Sequence, residues 1–467
     1  MKGYSKWSYR PYSRLTEIER RRLPFIVRLA PGADYVELEW LDNGWNGPHT
    51  VCYKPLLHDG PFEERLLLEN TVKIQGLTPL KDYVFYIKRQ GTKGESPQRL
   101  AQAGEAVGTV VNYLHPYDEA YAFSGRSLCS PSLVKLPSGV LLASMDVFAP
   151  GDPQNLSFLF RSDDSGATWR YVADLFPCFW GKLFCHGGKL YMLAHTTEYG
   201  NLVIGCSQDE GATWSAPVTL LPGAGSNRDM GPHKAPMPVV ELNGRLYTGV
   251  DYGSWGTGGH ANGLISIKAD ADLMIAENWS CTGFTAYNPQ WPGTVRGPSR
   301  GCLEGNAVEG PDGGIYNVLR YQTQGCVPSF GKALILKGDL KEPEKALEYY
   351  KTVDFNGGSN SKFDLLRDPL TGTYWAIVNE IVYETQPAAR TVVSLAMSRD
   401  MEQFRIVKRL IDFKDSDPRQ TGFQYISFII DGEDILFLSR TAMNKVRNHH
   451  DANYITFHRV GNFRQYL

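Results

Sequence analysis

The 467-residue chain carries 48 basic and 50 acidic side chains, so its net charge is only −2. This balance lacks the basic excess with which proteins counter a phosphate backbone, and nucleic acid is therefore not an expected partner. The length exceeds that of one ordinary compact domain and favours two domains.

The first segment, residues 1–23, is interpreted as an N-terminal arm. Its opening residues, Met1 to Trp7, are polar and aromatic, without the apolar stretch or the small-residue cleavage site of a signal peptide. We expect a cytoplasmic protein as the chain is written, and a secreted or periplasmic one if a leader has been removed. No apolar run is long enough to cross a bilayer, so a membrane is not an expected partner.

Residues 24–112 predict a separate β unit. Apolar side chains alternate with polar ones at Val36, Leu38 and Trp40, which is the pattern of a strand buried on one face. Together with a Leu77-x-Pro79-x-x-x-Tyr83 segment, the unit resembles a fibronectin type III sandwich. The resemblance implies that the Tyr83 hydroxyl forms the tyrosine corner of that family.

Residues 113–467 have the composition of a second, larger all-β domain. Short alternating stretches such as 139–145 and 187–193 are separated by Gly, Asn and Asp turns. Helical periodicity is weak except at 341–348, which we interpret as an excursion between strands.

A repeated motif supports a more specific fold. Residues 162–169 and 207–214 both match S-x-D-x-G-x-T-W, and residues 398–404 are a degraded copy. The Asp can accept backbone N–H bonds across a tight turn, and the Gly can adopt a positive φ. The motif resembles the Asp box of sialidase-type propellers. The resemblance implies a six-bladed β-propeller over 113–467, with the boxes in hairpins away from the active site.

The same resemblance implies catalytic residues. In sialidases a tyrosine nucleophile is activated by a glutamate, an aspartate is the acid/base, and three arginines bind the substrate carboxylate. The hairpin 303–320 is similar to the segment that carries the glutamate and one arginine, which implies these roles for Glu304 and Arg320. Segment 422–432 is similar to the tyrosine segment and implies Tyr425 as nucleophile. In the loop 145–155, Asp152 fits the acid/base register better than Asp146.

The chain departs from the family at the arginine clamp. The family's first arginine opens an R-I-P-S segment, and the matching stretch here, Cys129-Ser130-Pro131-Ser132, lacks it. Arg126 could replace that arginine only with a changed backbone path. The third clamp position falls among Lys332, Lys362 and Arg367 without a clean match, and lysine does not replace a guanidinium fork. We therefore expect an acidic sugar other than sialic acid, or one held differently.

Polar clusters outside the family pattern give further candidates for substrate binding. They are His186, His195 with Glu198 and Tyr199, His233 with Lys234, Asn360 with Lys362, and Arg440 with His450 and Asp451. From these we select Arg440, Lys362, His450, Asp451, Lys234 and His186, in addition to Arg320, as substrate-binding residues. No H-x-H or H-E-x-x-H spacing indicates a metal site, and no cofactor is expected. The eight cysteines lack a CxxC pair and are interpreted as reduced thiols.

Three functions remain open at this point. The first is an exo-acting glycoside hydrolase in which Tyr425, Glu304 and Asp152 carry the reaction. The second is a polysaccharide lyase, in which a His/Tyr pair removes the proton next to a uronate carboxylate. The third is a carbohydrate-binding propeller without catalysis. In each case the partner is a glycan, and the sequence does not indicate an oligomeric state.

Overall fold

The computed structural model describes Trp7 and residues 24–42, 45–355 and 360–467. Within these ranges the strands form eight sheets, and the helical structure consists of two 3₁₀ turns, Ala276–Asn278 and Phe463–Tyr466. The expected all-β class is therefore confirmed. Of the predicted arm, residues 1–23, all but Trp7 lie outside the described residues.

The first two sheets form a sandwich over residues 25–102. One sheet has the order β1-β2-β5 and the other β4-β3-β6-β7. The bounds are β1 Phe25–Gly32, β2 Tyr35–Leu41, β3 His49–Pro55, β4 Glu63–Leu67, β5 Thr71–Gln75, β6 Asp82–Arg89 and β7 Arg99–Gln102. Val36, Leu38 and Trp40 alternate into the core between the sheets. The Tyr83 hydroxyl accepts a hydrogen bond from the backbone N–H of Thr78 at 2.9 Å and fixes the loop before β6.

The other six sheets, called sheets 1 to 6 below, follow along the chain, and hydrogen-bonded neighbours within each are antiparallel. Sheet 1 contains β9 Ser127–Lys135, β10 Leu141–Phe148, β11 Ser157–Ser162 and β12 Arg170–Leu175. Sheet 2 contains β13 Phe179–His186, β14 Lys189–His195, β15 Leu202–Ser207 and β16 Val218–Leu221. Sheet 3 contains β17 Gly231–His233, β18 Val240–Leu242, β19 Arg245–Ser254, β20 Gly259–Lys268 and β21 Trp279–Cys281.

Sheets 4 to 6 complete the larger unit. Sheet 4 contains β22 Cys302–Glu309, β23 Ile315–Tyr321, β24 Lys332–Lys337 and β25 Glu348–Asp354. Sheet 5 contains β26 Asp364–Arg367, β27 Tyr374–Asn379, β28 Val392–Ser398 and β29 Arg405–Asp412. Sheet 6 contains β30 Gly422–Asp431, β31 Asp434–Ala442, β32 Tyr454–Val460 and, from the other end of this unit, β8 Thr109–Tyr113. The predicted boundary between residues 112 and 113 falls inside β8, whose hydrogen bonds go to β32.

Alternation along the strands buries both faces of each sheet. In β14, Leu190, Met192 and Ala194 pack against sheet 1, whereas Tyr191 and Leu193 pack against sheet 3. Successive side chains of a strand point to opposite faces, so an apolar run of this kind suits a strand between two neighbours.

The packing closes on itself. Hydrophobic clusters join sheet 2 to 3, 3 to 4, 4 to 5 and 5 to 6 in the same way. Leu436 and Leu438 of sheet 6 then pack with Leu133 and Leu141 of sheet 1. The first and last parts of the larger unit are thereby joined both by packing and by the pairing of β8 with β32.

Polar side chains of the first strands link neighbouring sheets. Each accepts a hydrogen bond from a backbone N–H of the next sheet: Ser132 from Leu183 at 2.9 Å, Asn306 from Leu365 at 2.8 Å, Asp364 from Phe428 at 3.2 Å, and Ser427 from Leu133 at 3.3 Å. These side chains are buried, so the bonds satisfy groups that would otherwise be desolvated without a partner. They also fix the first strands relative to one another, and these strands carry the site.

Candidate functional site

One cavity of ≈ 360 Å³ receives side chains from all six sheets or the loops that follow their strands. Glu304, Arg320, Tyr425, Arg440 and His450, all selected from the sequence, line it. Its lining residues lie between 129 and 450, and none of them belongs to the described sandwich.

Four lining residues in the first strands of their sheets have a left-handed backbone. Ser130, Trp180, Glu304 and Tyr425 have φ values of 49°, 52°, 56° and 53°. Each lies in the first strand of its sheet where the pairing register shifts. A bulge redirects a side chain, and a non-glycine residue in this region is strained by about 1–2 kcal/mol. The same local device therefore directs four side chains from four sheets into the cavity.

Buried carboxylates hold two of these strained residues. Asp146 accepts hydrogen bonds from the Trp180 backbone N–H at 2.7 Å and from the Ser157 hydroxyl. Burial raises the pKa of Asp146 to about 7, although these bonds act in the opposite direction. Asp251 accepts a bond from the Glu304 backbone N–H at 2.8 Å. Both carboxylates are about 1% exposed, so their role is to position the backbone.

Glu304, Arg320 and Tyr425 form one hydrogen-bonded group. Arg320 Nη1 donates to Glu304 Oε2 at 2.8 Å and to the Tyr425 hydroxyl at 3.4 Å. Although burial opposes it, the proximity of Glu304 and Tyr425 raises the pKa of Arg320. The guanidinium is therefore a permanent cation that joins the carboxylate to the hydroxyl.

Two further arginines lie against Tyr425. The Cζ atoms of Arg390 and Arg440 are 5.5 Å and 5.0 Å from the centroid of its ring. Arg390 donates to the backbone oxygen of Asn360 at 2.7 Å and to the Gln424 side chain. Arg440 donates to the His450 backbone oxygen. Burial, followed by repulsion from the other two arginines, lowers the pKa of Arg390 to about 10.

The three guanidinium groups are not fully satisfied by the protein. The Nε atoms of Arg320, Arg390 and Arg440 are buried without a hydrogen-bond partner among the described residues. Among the described residues, no carboxylate lies within ion-pair distance of Arg390 or Arg440. Buried charges without a counter-ion are unfavourable, and an anion bound in the cavity would compensate them. Sequence reasoning missed Arg390, since a lone arginine before a strand carries no motif.

The cavity lining also contains tryptophan and histidine rings. Trp180 and Trp255, neither of which was selected from the sequence, line the cavity with His233 and Glu198. The rings of Trp180 and His233 are 4.5 Å apart at 67°. Burial raises the pKa of Glu198, whose carboxylate accepts a hydrogen bond from Gln154 Nε2 at 3.3 Å. The cavity thus combines cationic groups with aromatic rings that suit the apolar face of a sugar.

The predicted acid/base Asp152 does not line the cavity, although Gly151 and Gln154 beside it do. Its carboxylate is bonded to Arg126 Nη1 at 3.1 Å. The Arg126 guanidinium also pairs with Glu119 at 3.1 Å, so it does not reach the cavity in place of the missing first arginine.

Four predicted substrate-binding residues also lie outside the lining. Lys362 bonds Asp364 at 2.5 Å and the Ile426 backbone oxygen at 2.7 Å. Lys234 donates to the Ala235 backbone oxygen at 3.3 Å, and burial lowers its pKa well below the usual range. Asp451 accepts a bond from His450 Nδ1 at 3.0 Å and so positions a lining residue.

His186 is the fourth of these residues. It ends β13 at the opposite end from Trp180, and its ring bonds the Ala269 backbone oxygen at 2.6 Å. The structure therefore gives no support to a contact between His186 and a ligand in this cavity. The other clamp candidates, Lys332 and Arg367, pair with Asp354 and Glu309, each at 2.6 Å, and do not line the cavity either.

The two S-x-D-x-G-x-T-W segments form matching turns. Asp164 and Asp209 accept bonds from the backbone N–H of Thr168 at 2.9 Å and of Thr213 at 2.8 Å. The turns follow β11 and β15 at the ends paired with the starts of β10 and β14, whereas Phe148, at the far end of β10, lines the cavity. These aspartates are therefore remote from the candidate site.

Comparisons with solved structures establish the fold. The chain is similar to a Hadza microbial sialidase, with a TM-score of 0.51, 12% identity, and coverage of 95% of this chain and 97% of that one. It is also similar to an alpha-L-arabinanase of Penicillium chrysogenum complexed with arabinobiose (TM-score 0.50, 13% identity, 77% of this chain and 98% of that one). A third similar structure is the GH93 alpha-L-arabinofuranosidase of Fusarium graminearum, with a TM-score of 0.50, 13% identity, and coverage of 76% of this chain and 98% of that one. These likenesses identify a sialidase-like β-propeller fold.

No protein-family model matches the chain, and no curated protein sequence matches it. Over the described ranges, no helix is long and apolar enough to span a membrane. The same ranges contain no group of three or more His, Cys, Asp or Glu side chains that could hold a metal ion.

Proposed function

We propose that the chain is an exo-acting glycoside hydrolase that removes an acidic sugar, with Tyr425 as the nucleophile and Glu304 as its base. The observation that carries this proposal is the convergence of Glu304, Arg320 and Tyr425 with Arg390 and Arg440 in one cavity. The substrate is a glycan, and no cofactor takes part in the reaction.

We also propose a finer assignment of the sheets and turns. Sheets 1 to 6 are the six blades of the propeller, and the segments around Asp164 and Asp209 are its Asp boxes. The sandwich is a fibronectin type III-like unit that supplies no catalytic group. The cyclic packing of the six sheets and the Tyr83 hydrogen bond support these assignments.

A tyrosine nucleophile suits an anomeric carbon that bears a carboxylate. Tyrosine is a weak nucleophile at its free pKa of about 10 and needs an adjacent base. The Tyr425 hydroxyl passes its proton to Glu304 as its oxygen bonds the anomeric carbon and the glycosidic C–O bond breaks. The leaving-group oxygen takes its proton from a separate acid/base residue, which is later restored by the attacking water. Arg320 contacts both groups and stabilises the negative charge that develops on the phenol oxygen. Water later releases the sugar, and the phenolate takes its proton back from Glu304.

The arginines favour an acidic substrate. A carboxylate between Arg320, Arg390 and Arg440 would supply the anion that these buried cations lack. Because the stretch 129–132 lacks the first arginine of sialidases, the carboxylate would be held by a different set of guanidinium groups. These guanidinium groups could also bind the carboxylate of a uronic acid, which lies on C5 rather than on the anomeric carbon, so uronic acids are tested beside sialic acids.

A lyase on uronate-containing glycans is the second candidate. It is favoured by the presence of His233, His450 and Tyr425 in the same cavity as the arginines. In a lyase, a histidine or tyrosine removes the proton next to the carboxylate that the arginines neutralise. The product would then contain a new double bond.

The test is a substrate panel on the full chain. It contains 4-methylumbelliferyl glycosides of sialic, glucuronic and galacturonic acids and of arabinofuranose, and the corresponding polysaccharides. We expect fluorescence or reducing sugar to be released from an acidic glycoside, without ultraviolet absorbance from an unsaturated product. Tyr425→Phe should abolish release, whereas Tyr350→Phe, which removes a surface hydroxyl bonded to Glu402, should not. Unsaturated products would favour the lyase, and binding without turnover a non-catalytic propeller.

A further inference from the structure

A buried histidine–aspartate pair lies at the wall of the same cavity. His233 Nδ1 and Asp251 Oδ2 are 3.0 Å apart, and the two residues are directly paired across β17 and β19. Asp251 is 1% exposed and also accepts a bond from Asn262 at 2.8 Å. A carboxylate accepting at Nδ1 fixes the tautomer and the orientation of the imidazole.

The other nitrogen of this ring is available. His233 lines the cavity, and its Nε2 has no hydrogen-bond partner among the described residues. Trp180 packs against one side of the ring at 4.5 Å, and the His260 ring lies at 4.7 Å. The imidazole is therefore held firmly while one nitrogen stays free to exchange a proton in the cavity.

Asp251 also connects this pair to the proposed nucleophile system. The oxygen that contacts His233 accepts the Glu304 backbone N–H at 2.8 Å. One carboxylate thus positions both the imidazole and the strained residue whose side chain pairs with Arg320. Asp152, in contrast, is paired with Arg126 and does not line the cavity.

We propose that His233, held by Asp251, is the general acid/base of the reaction, a role that rests on the proposed glycosidase function. Protonated His233 donates its Nε2 proton to the leaving-group oxygen as the glycosidic C–O bond breaks and Tyr425 bonds the anomeric carbon. In the second step Nε2 takes a proton from water while the water oxygen replaces the tyrosine. Each turnover leaves the imidazole protonated as at the start, and Asp251 is a positioning residue that stabilises the cation.

The groups facing His233 are consistent with this cycle. From β19 the charged neighbour is Asp251, and from the loop after β14 it is Glu198. From β20, His260 stays neutral because burial, followed by repulsion from His233, lowers its pKa to about 3. Tyr199 lies at 5.8 Å and donates or accepts at His260. The charged groups that face the His233 ring are thus the carboxylates of Asp251 and Glu198, and the next residue in sequence, Lys234, is buried.

The test compares leaving groups. His233→Asn keeps an N–H donor for Asp251 and removes Nε2. On a glycoside with a sugar leaving group, kcat/KM should fall about 10²–10⁴-fold, whereas on a 2,4-dinitrophenyl glycoside, which needs no proton, it should fall less than about tenfold. Azide should restore turnover of the activated substrate and give a glycosyl azide of retained configuration. On the substrate with a sugar leaving group, the pH–rate profile of His233→Asn should lack the basic limb that the wild-type profile has.

Variants of the other candidate acid/base residues are measured in parallel. If Asp152→Asn or Glu198→Gln shows the leaving-group dependence and azide rescue instead of His233→Asn, the proposal is overturned. An equal loss on both substrates in His233→Asn overturns it as well. If His233→Asn does not fold, Asp251→Asn tests the same pair, because the basic limb should then move to lower pH, and an unmoved limb overturns the proposal. Absence of turnover in the wild-type chain would reject the glycosidase itself, which distinguishes the two failures.

Discussion

At the scale of single residues, the Tyr425 hydroxyl is the group on which the proposed chemistry depends. Tyr425→Phe removes one oxygen, keeps the ring between Arg390 and Arg440, and should leave the fold intact. We expect kcat on an acidic glycoside to fall by at least about 10³-fold, because the covalent step has no nucleophile. Steady-state kinetics and a thermal melt measure the two effects. Activity within about tenfold of the wild type would contradict the assignment.

Arg390 allows a test of whether the substrate carries a carboxylate that the arginines bind. Arg390→Lys keeps one positive charge but loses the planar fork and the bond to Gln424. We expect KM for the acidic glycoside to rise about tenfold, which corresponds to about 1.4 kcal/mol. A matched Arg409→Lys variant changes an exposed arginine paired with Glu380 and should leave KM unchanged. An unchanged KM in Arg390→Lys would show that the substrate carboxylate is bound elsewhere.

His195 allows a test of pH-dependent stability. It is fully buried, and burial lowers its pKa from 6.5 to about 3. As pH falls below 6.5 the unfolded chain binds a proton at this residue and the folded chain does not, so stability decreases down to about pH 3. The contribution is up to about 1.4 kcal/mol per pH unit. His195→Asn, which keeps a donor for Gly200, should show a correspondingly shallower slope in urea unfolding between pH 6 and 4.

Sequence reasoning and structure differ most at this scale. Glu304, Arg320 and Tyr425 could be selected because local segments resemble known ones, and they lie together. Arg390 and Trp180 carry no local motif, and only the packing of distant sheets brings them to the cavity. Lys362 was selected as a substrate-binding residue, but it is buried and paired with an equally buried partner, Asp364.

At the scale of elements, the strained bulges were not predictable from sequence. Glycine or asparagine usually marks a left-handed residue, whereas these positions are occupied by Ser130, Trp180, Glu304 and Tyr425. The alternation that predicts strands gives no sign of the extra residue. The tight turns at Asp164 and Asp209 were predictable, because side chains within eight residues determine their geometry.

Ser130 offers a test of this strain. Ser130→Val places a β-branched side chain at a φ of 49°, and should destabilise the fold by about 1–2 kcal/mol more than Ser130→Ala. Ser144, on the adjacent strand, is the control, because it has extended backbone and a buried hydroxyl without a partner in the described structure. Ser144→Val should be no less stable than Ser144→Ala. Chemical unfolding of the four variants gives both differences, and equal penalties at the two sites would argue against strain at residue 130.

At the scale of the whole molecule, the sequence indicated a small and a large β unit but not how closely they are joined. Phe25 and Val27 of the sandwich pack into the cluster between sheets 6 and 1. Arg99 of β7 donates to Asp118 at 2.6 Å, and both side chains are almost fully buried. Apolar contacts and a charged pair across such a junction depend on the folded shapes of both units, which no local pattern encodes.

The junction predicts that the two units unfold together. Arg99→Leu would leave Asp118 buried without its cation, although the apolar stem is kept, and should destabilise the protein by about 3–5 kcal/mol. The control is Lys88→Leu, which breaks the more exposed pair with Glu64 on the same sandwich and should change stability by less than about 1 kcal/mol. Calorimetry should give one transition for the wild type and for Lys88→Leu, and an earlier or divided transition for Arg99→Leu. The kcat of the folded Arg99→Leu variant at low temperature should equal that of the wild type, because no sandwich residue lines the cavity in the described structure. An unchanged melt would mean that the sandwich contributes nothing to propeller stability through this pair.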